Sequence, residues 1–163
     1  MQRLSRTEPE EWRIIEALYA SLRRFAAVVA PADLEPDDLL QEALVSVLRR
    51  HSLSDLDYPA AYVRKTILNA ARAHNRSRGR WRTAMTTSAA PATGSTSPGY
   101  PSDLHELLRL PPRERAALYL HEVEGYRFLE IGHMLGCSEG AAKKASSRGR
   151  RRLSAALRAE VTS

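Results

Sequence analysis

The chain has 163 residues, enough for one medium-sized domain or two small ones, and its net charge of +6 suggests a polyanionic partner. The single cysteine, Cys137, excludes an intramolecular disulfide, and five scattered His beside it give no zinc-binding spacing. The charged N-terminus has no apolar signal-peptide segment and no apolar run is long enough to cross a bilayer, so we expect a cytoplasmic protein without membrane insertion.

Three stretches with helical spacing of apolar residues occupy the N-terminal half. The first is predicted to be a helix over residues 8–29, and the second begins near Pro36. A polar stretch separates the second from the third, which is predicted to run from Pro59 to about Arg76. Three helices with one apolar stripe each predict a small bundle.

The amino-acid composition changes after this bundle. Residues 83–102 carry no charge and are rich in small residues, Pro and Gly, which cannot bury enough surface to offset the entropy of ordering. Helical spacing returns from residue 103 onwards, and no convincing alternating strand pattern occurs on either side. The sequence therefore predicts an all-α fold with two small helical domains, 1–82 and 103–163, joined by a flexible linker over 83–102.

The C-terminal part contains the spacing of a helix-turn-helix. A small residue on the first helix (Gly132) is followed four positions later by a turn glycine (Gly136) and six positions after that by an apolar residue (Ala142). Small residues allow two helices to cross closely, and glycine adopts turn conformations that strain other residues. An ordinary helical hairpin would satisfy the same pattern. The outer face of the second helix must therefore distinguish a hairpin from a DNA-binding motif.

That outer face is basic. If Ala142, Ala145 and Gly149 point inward, helical geometry turns a polar set outward: Lys144, Ser147, Arg148 and Arg151, with Lys143 and Arg150 on the flanks. No acidic residue interrupts the sequence from 143 to 152. A basic second helix after a tight turn suits the major groove of DNA, so DNA binding is favoured over the plain hairpin.

The third helix is the second candidate for nucleic-acid binding. Seven basic residues and no acidic one lie between Tyr62 and Arg82, and His74 and Trp81 add flat surfaces that could stack on bases. Basic residues also suit a helix C-terminus, but this run is too dense for that reason alone. Two such faces on linked modules suggest one nucleic acid contacted at two places.

The second helix has the opposite charge. Seven acidic residues cluster before the basic helix, around residues 33–57, where phosphate would be repelled. With Leu39 and Gln41 expected to be exposed, this helix is interpreted as a protein-docking surface. A solvated acidic face explains the charges equally well.

These segments, in this order, resemble the extracytoplasmic-function class of bacterial sigma factors, of the sigma-70 family. Glu35–Val45 resembles the family's polymerase-docking helix, Tyr58–Arg72 the segment that opens and reads the downstream promoter element, and Leu110–Leu153 the fourth sigma region. Tyr62 stands where the family commonly has Trp. The resemblance implies an alternative sigma factor that binds core RNA polymerase and directs recognition and opening of promoter DNA, both double-stranded and locally melted. It also implies an anti-sigma factor as a partner.

The resemblance assigns residues to each contact. It implies polymerase binding by Asp38, Leu39, Gln41 and Glu42. It implies contact with the downstream element by Asn69, Arg72, Arg76 and Arg80, and a flipped base held by the loop 51–61. For the upstream element, helical geometry and not the resemblance gives the candidates, which are the outward residues of the basic helix: Lys143, Lys144, Ser147, Arg148 and Arg151.

Two other classes of protein remain as alternatives. A stand-alone helix-turn-helix regulator would lack sigma activity, but a simple operator binder has no use for the acidic helix. An enzyme is disfavoured because the sequence has no Gly-rich phosphate loop, no nucleophile with an ordered base and no plausible pair of carboxylates. We expect no catalytic residue, no cofactor and no metal site.

Overall fold

The helices of the protein fall into two blocks in the computed structural model, which describes residues 8–84 and 106–162. The N-terminal block contains α1 (Glu8–Val29), α2 (Pro36–Leu48) and α3 (Pro59–Ala84), with a short 3-10 helix at Leu53–Asp55. The C-terminal block contains α4 (Pro112–Glu122), α5 (Phe128–Leu135) and α6 (Glu139–Val161). These ranges contain no strand, and the all-α prediction is confirmed.

Prolines and short caps mark where these helices begin. Pro36, Pro59 and Pro112 occupy the first positions of α2, α3 and α4, where the missing N–H of proline has no helical partner to lose. The Ser138 side chain caps α6 by accepting a hydrogen bond from the Ala141 backbone N–H at 3.1 Å. Such local signals explain why the sequence predicted the starts of the helices.

The end of α3 differs from the prediction. The helix was expected to stop near Arg76 and the first domain at residue 82, but α3 continues to Ala84. No proline occurs between Pro59 and Pro91, and the basic side chains of this segment are compatible with a helix, so nothing local terminates it. The predicted linker therefore begins inside α3, and its remaining residues lie outside the described ranges.

The core of the N-terminal block lies where α2 packs against both α1 and α3. Phe25 of α1, Leu40 and Val47 of α2, and Val63 and Ile67 of α3 are fully buried there. In the C-terminal block α6 packs along α4 and α5, where Ala142, Ala145 and Gly149 are buried as predicted. One stripe of each helix is thus covered by its neighbours.

The two blocks also pack against each other. α1 contacts α4, α3 contacts both α4 and α5, and the buried apolar residues of both blocks form one continuous cluster. The rings of Phe25 and Tyr119 meet across this boundary, with centroids 6.4 Å apart. No helix in the described parts of the chain has the length and apolar character needed to cross a membrane.

Candidate nucleic-acid interface and docking face

The turn between α5 and α6 has the geometry of a helix-turn-helix. Gly136 ends α5 in the left-handed conformation, with φ 67°, where residues with a side chain are strained. A Cβ on Gly132 would lie 2.7 Å from the Cys137 carbonyl oxygen, so only glycine allows the turn to fold back this closely. A Cβ on Gly149 would similarly lie 3.1 Å from the Glu114 carbonyl oxygen, where α6 crosses α4.

The outer face of α6 carries the predicted basic set. Lys144, Ser147, Arg148 and Arg151 are all exposed, and Lys143 is exposed on one flank. Because Ala142, Ala145 and Gly149 are buried on the opposite side, these side chains share the face that points away from the core into solvent. The face is therefore free to enter a groove of DNA.

Two neighbouring arginines are held away from this face. Arg150 forms an ion pair with Glu122 at the end of α4. Arg152 Nη1 lies 3.1 Å from Glu114 Oε2, and this carboxylate is largely buried. The acids of α4 thus orient two of the basic residues of α6 along the protein surface and leave Lys144, Arg148 and Arg151 as the outward cations.

The predicted downstream-element residues lie along one side of α3, at spacings of three and four. Asn69 and Arg76 are exposed, whereas Arg72 is partly buried. Burial lowers the pKa of the Arg72 guanidinium, and the nearby positive charges of Arg113 and Arg76 lower it further. The backbone of Arg80 lies in α3, and its side chain lies outside the described residues.

One basic residue of α3 does not belong to this face. Arg64 was counted among the seven cations, but its side chain is only 3% exposed and forms an ion pair with Glu124 of the other block, at 2.8 Å. Position 64 faces the boundary with the C-terminal block, which the sequence does not reveal. Among the described side chains of α3, Lys65 and Arg76 are the exposed cations.

A cleft lies between α2 and α3, next to this face. Its volume is about 300 Å³, and its polar and aromatic lining includes Tyr62, Lys65 and Asn69 of α3, Glu42 of α2, and Arg50 just after α2. The rings of Tyr62 and His51 meet edge to face, with centroids 5.2 Å apart. The cleft therefore combines an aromatic ring with two cations, an amide and one carboxylate; the ring and the polar groups suit a nucleobase, and the cations suit its phosphate.

The exposed face of α2 differs in one residue from the prediction. Asp38, Gln41 and Glu42 are exposed, as expected for a docking face. The expected exposure of Leu39 is wrong: Leu39 is 0% exposed, because α2 is packed between α1 and α3 and is buried over a broad arc. The exposed apolar residues are instead Val45 and Leu48, at 48% and 41%. Helical spacing could have identified both residues. Val45 follows Gln41 by four positions and Asp38 by seven, and Leu48 follows Gln41 by seven, so they share the exposed face.

Comparison with known proteins covers both blocks. Residues 104–153 match the family model of sigma-70, region 4. The ECF RNA polymerase sigma factor SigM of Mycobacterium tuberculosis, found in two strains, is 28% identical over 144 residues, covering 85% of this chain and 72% of the relative. The likeness to an ECF sigma factor thus extends over most of the chain, and the sigma-70 region 4 match lies in its C-terminal block.

A solved structure shares the fold of this chain. It is the sigma factor RpoE of Bartonella quintana, crystallised in complex with the anti-sigma factor NepR. The TM-score is 0.68 at 21% identity, and the match covers 90% of this chain and 95% of the other. The helix-turn-helix described above lies within the matched region 4.

One residue that the sequence pattern does not reveal organises the loop after α2. The half-buried Glu11 of α1 accepts hydrogen bonds from the Ser52 hydroxyl and from the Leu53 backbone N–H, the latter at 3.1 Å. The loop and Glu11 are 42 positions apart, so no local pattern could reveal the contact. This carboxylate attaches the start of the loop to α1.

Proposed function

We propose that this protein is an alternative sigma factor, which binds core RNA polymerase and directs it to promoters through two separate DNA contacts. The observation that carries the proposal is α6: its outward cations lie together on one face behind a tight glycine turn, while neighbouring arginines are held by α4. Such a helix suits the major groove of the upstream promoter element. We expect no catalytic activity of its own.

The N-terminal and C-terminal blocks are proposed to be separate domains, divided near residues 83–102. The exposed face of α2 would dock on polymerase, with Asp38, Gln41 and Glu42 meeting basic residues and Val45 and Leu48 supplying apolar area. Charge complementarity speeds such an encounter, and the apolar residues strengthen the complex once formed. Because polymerase lies in the cytoplasm, we propose that location for this protein.

The cleft between α2 and α3 supports a role in opening the promoter. A base flipped from the nontemplate strand would be held by the cleft and by the loop 51–61, while Asn69, Arg72, Arg76 and Arg80 would follow the strand backbone. Unstacking a base costs a few kcal/mol, and the pocket must return that energy by stacking and hydrogen bonding. Tyr62 and Asn69, which line the cleft, would supply these two contributions.

An anti-sigma factor is proposed as a further partner. The structural neighbour from Bartonella quintana was crystallised with one, and the resemblance to the family implies one here. Masking either the α2 face or the α6 face would be enough to prevent transcription.

Run-off transcription with core polymerase on a promoter library tests the proposal. Transcripts that start at a defined set of promoters only when the chain is added would support it. A stand-alone helix-turn-helix regulator would bind DNA but would neither copurify with core polymerase nor supply this activity. That result would refute sigma activity.

A further inference from the structure

The start of the loop after α2 is held by a carboxylate of α1. Glu11 accepts hydrogen bonds from the Ser52 hydroxyl and from the Leu53 backbone N–H, the latter at 3.1 Å. The Ser54 backbone nitrogen lies 3.5 Å from Glu11 Oε1. The Leu53 side chain is 1% exposed and belongs to the buried apolar core. Together these contacts fix the position of residues 52–54.

The hydroxyls of Ser52 and Ser54 continue this network in one direction. A carboxylate only accepts hydrogen bonds, so the Ser52 hydroxyl donates its single hydrogen to Glu11. Ser52 Oγ also lies 2.8 Å from Ser54 Oγ. Because the hydrogen of Ser52 is already used, Ser54 must be the donor in this second hydrogen bond. We call this chain of hydrogen bonds, from Ser54 to Ser52 to Glu11, the relay.

The relay determines the chemical character of Ser54 at the protein surface. Ser54 is exposed and its hydrogen points towards Ser52, so its oxygen has only lone pairs left for an incoming group. The same segment borders the cleft between α2 and α3, because His51, directly before Ser52, packs against the ring of Tyr62 in the cleft lining. The loop that is proposed to hold a flipped base therefore presents a fixed hydrogen-bond acceptor.

The four bases differ in what they offer to such an acceptor. Adenine and cytosine carry an exocyclic amino group, a donor, at the position where guanine and thymine carry a carbonyl oxygen. A flipped base is read along its Watson–Crick edge, which includes these groups. An amino group would donate to Ser54 Oγ, whereas a carbonyl oxygen would face its lone pairs with no hydrogen between them.

We propose that the relay makes the loop selective for a flipped base with an exocyclic amino group, adenine or cytosine, over guanine or thymine. This selectivity rests on the role in promoter opening proposed above for the loop. Ser54 contacts the base, and Glu11 and Ser52 are positioning residues that act through Ser54. The preference should amount to about two- to tenfold, the value of one hydrogen bond.

Run-off transcription from one active promoter, with its downstream element randomised, measures the base preference at each position of the nontemplate strand. With the unmodified chain, one position should favour adenine and cytosine over guanine and thymine by about two- to tenfold. Ser54→Ala removes the acceptor at an exposed site and should bring this ratio close to one. Ser154→Ala, the same change on the partly exposed surface of α6, is the matched control and should leave the ratio unchanged.

Glu11→Gln should reverse the relay. The Leu53 N–H cannot accept a hydrogen bond, so it must face the remaining oxygen of the amide, which turns the NH2 group towards Ser52. Ser52 would then donate to Ser54, and Ser54 would donate outwards. The ratio of amino to carbonyl bases should fall to one or below, whereas Glu10→Gln, at an exposed neighbouring position, should preserve it.

Ser52 provides a test that separates positioning from a merely structural role. Ser52→Ala interrupts the relay and should lower the ratio, and Ser52→Thr, which keeps a hydroxyl, should restore it. A change that lowered only the stability of the loop would reduce transcript yield with all four bases alike and would leave the ratio unchanged.

A base analogue tests the contact itself. At the selected position, adenine in the nontemplate strand of a synthetic promoter is replaced by purine, which lacks only the exocyclic amino group. The rate of opening with the unmodified chain should fall by about two- to tenfold, and with Ser54→Ala it should not fall further than base pairing alone requires. Because both proteins are compared on the same two DNAs, the difference in base pairing cancels.

Three results would overturn the proposal: no position with the expected preference, a preference that Ser54→Ala leaves intact, or equal losses from the purine substitution with and without Ser54 Oγ. A complete absence of transcripts with the unmodified chain would remove the proposed sigma activity and the selectivity with it. Transcripts that lack the preference would remove the selectivity alone, so the two failures are distinguishable.

Discussion

Glu11 on α1 accepts a hydrogen bond from the Leu53 backbone N–H at 3.1 Å and so attaches the loop after α2 to the first helix. Glu11→Gln keeps the size of the side chain but replaces one acceptor oxygen by an NH2 donor. That donor would face the Ser52 hydroxyl or the Leu53 backbone N–H. We expect the free energy of unfolding to fall by about 0.5–1.5 kcal/mol, the net contribution of one hydrogen bond, because this site is only half-buried. Urea unfolding measures it, with the exposed neighbour changed in Glu10→Gln as the control. Equal stability of both variants would show that the carboxylate does not hold the loop.

The acidic face of α2 is expected to bind core polymerase. Asp38→Arg combined with Glu42→Arg reverses the charge of this face and should weaken formation of the holoenzyme without unfolding the block. Competition for core enzyme against a labelled sigma factor measures the effect. The double change Glu10→Arg and Glu16→Arg makes the same charge difference on exposed positions of α1. If both double variants compete equally well, α2 is not the docking face.

Two apolar residues of α2 should separate binding from folding. Val45→Ser alters an exposed side chain, so it should reduce affinity for core polymerase while the free energy of unfolding changes by no more than about 0.5 kcal/mol. Leu39→Ala empties a fully buried position and should lower the free energy of unfolding by about 2–5 kcal/mol. Urea unfolding and the same competition assay check both variants. Normal polymerase binding by Val45→Ser would remove the apolar part of the docking face.

Asn69 is expected to act in promoter opening more than in initial binding. Asn69→Ala removes an amide from the cleft between α2 and α3, where a flipped base would be held. The rate of opening, followed by fluorescence of a 2-aminopurine placed in the downstream element, should fall more than the affinity of the closed complex. The exposed residue Ala73→Ser, one turn further along α3, serves as a control. Equal losses in both assays would argue against a melting role.

Arg148 and Arg151 of α6 are expected to make different DNA contacts, Arg148 with bases and Arg151 with the phosphate backbone. Arg148 lies nearer the N-terminus of the helix, which reaches deepest into the groove, so Arg148→Ala should cost about 1–3 kcal/mol and relax preference at one or two base pairs. Arg151→Ala should weaken binding to all sequences alike and lower the salt slope by about 1. Binding to promoter variants at several salt concentrations separates the two effects.

Arg150→Ala is the matched control for this pair, because Arg150 is held by Glu122 and should contribute less to either quantity. Identical profiles for Arg148→Ala and Arg151→Ala would refute the division of labour. Unchanged binding in both would remove α6 from the DNA interface.

The sequence by itself determined the helices and the orientation of α6. Pro36, Pro59 and Gly136 restrict or free the backbone dihedral angles at their own positions. They therefore mark two helix starts and the turn whatever the tertiary arrangement. Within one helix, the buried positions also dictate the opposite face. The burial of Ala142 and Gly149 therefore suffices to place Arg148 outside.

The tertiary structure decided which faces are covered by more than one neighbour. Leu39 is buried because α2 is enclosed by both α1 and α3, and Arg64 is buried because the C-terminal block packs on α3. Glu11 meets Leu53 across 42 positions of chain. Such contacts depend on how separate helices are arranged in space, and residue spacing along any one helix carries no information about that arrangement.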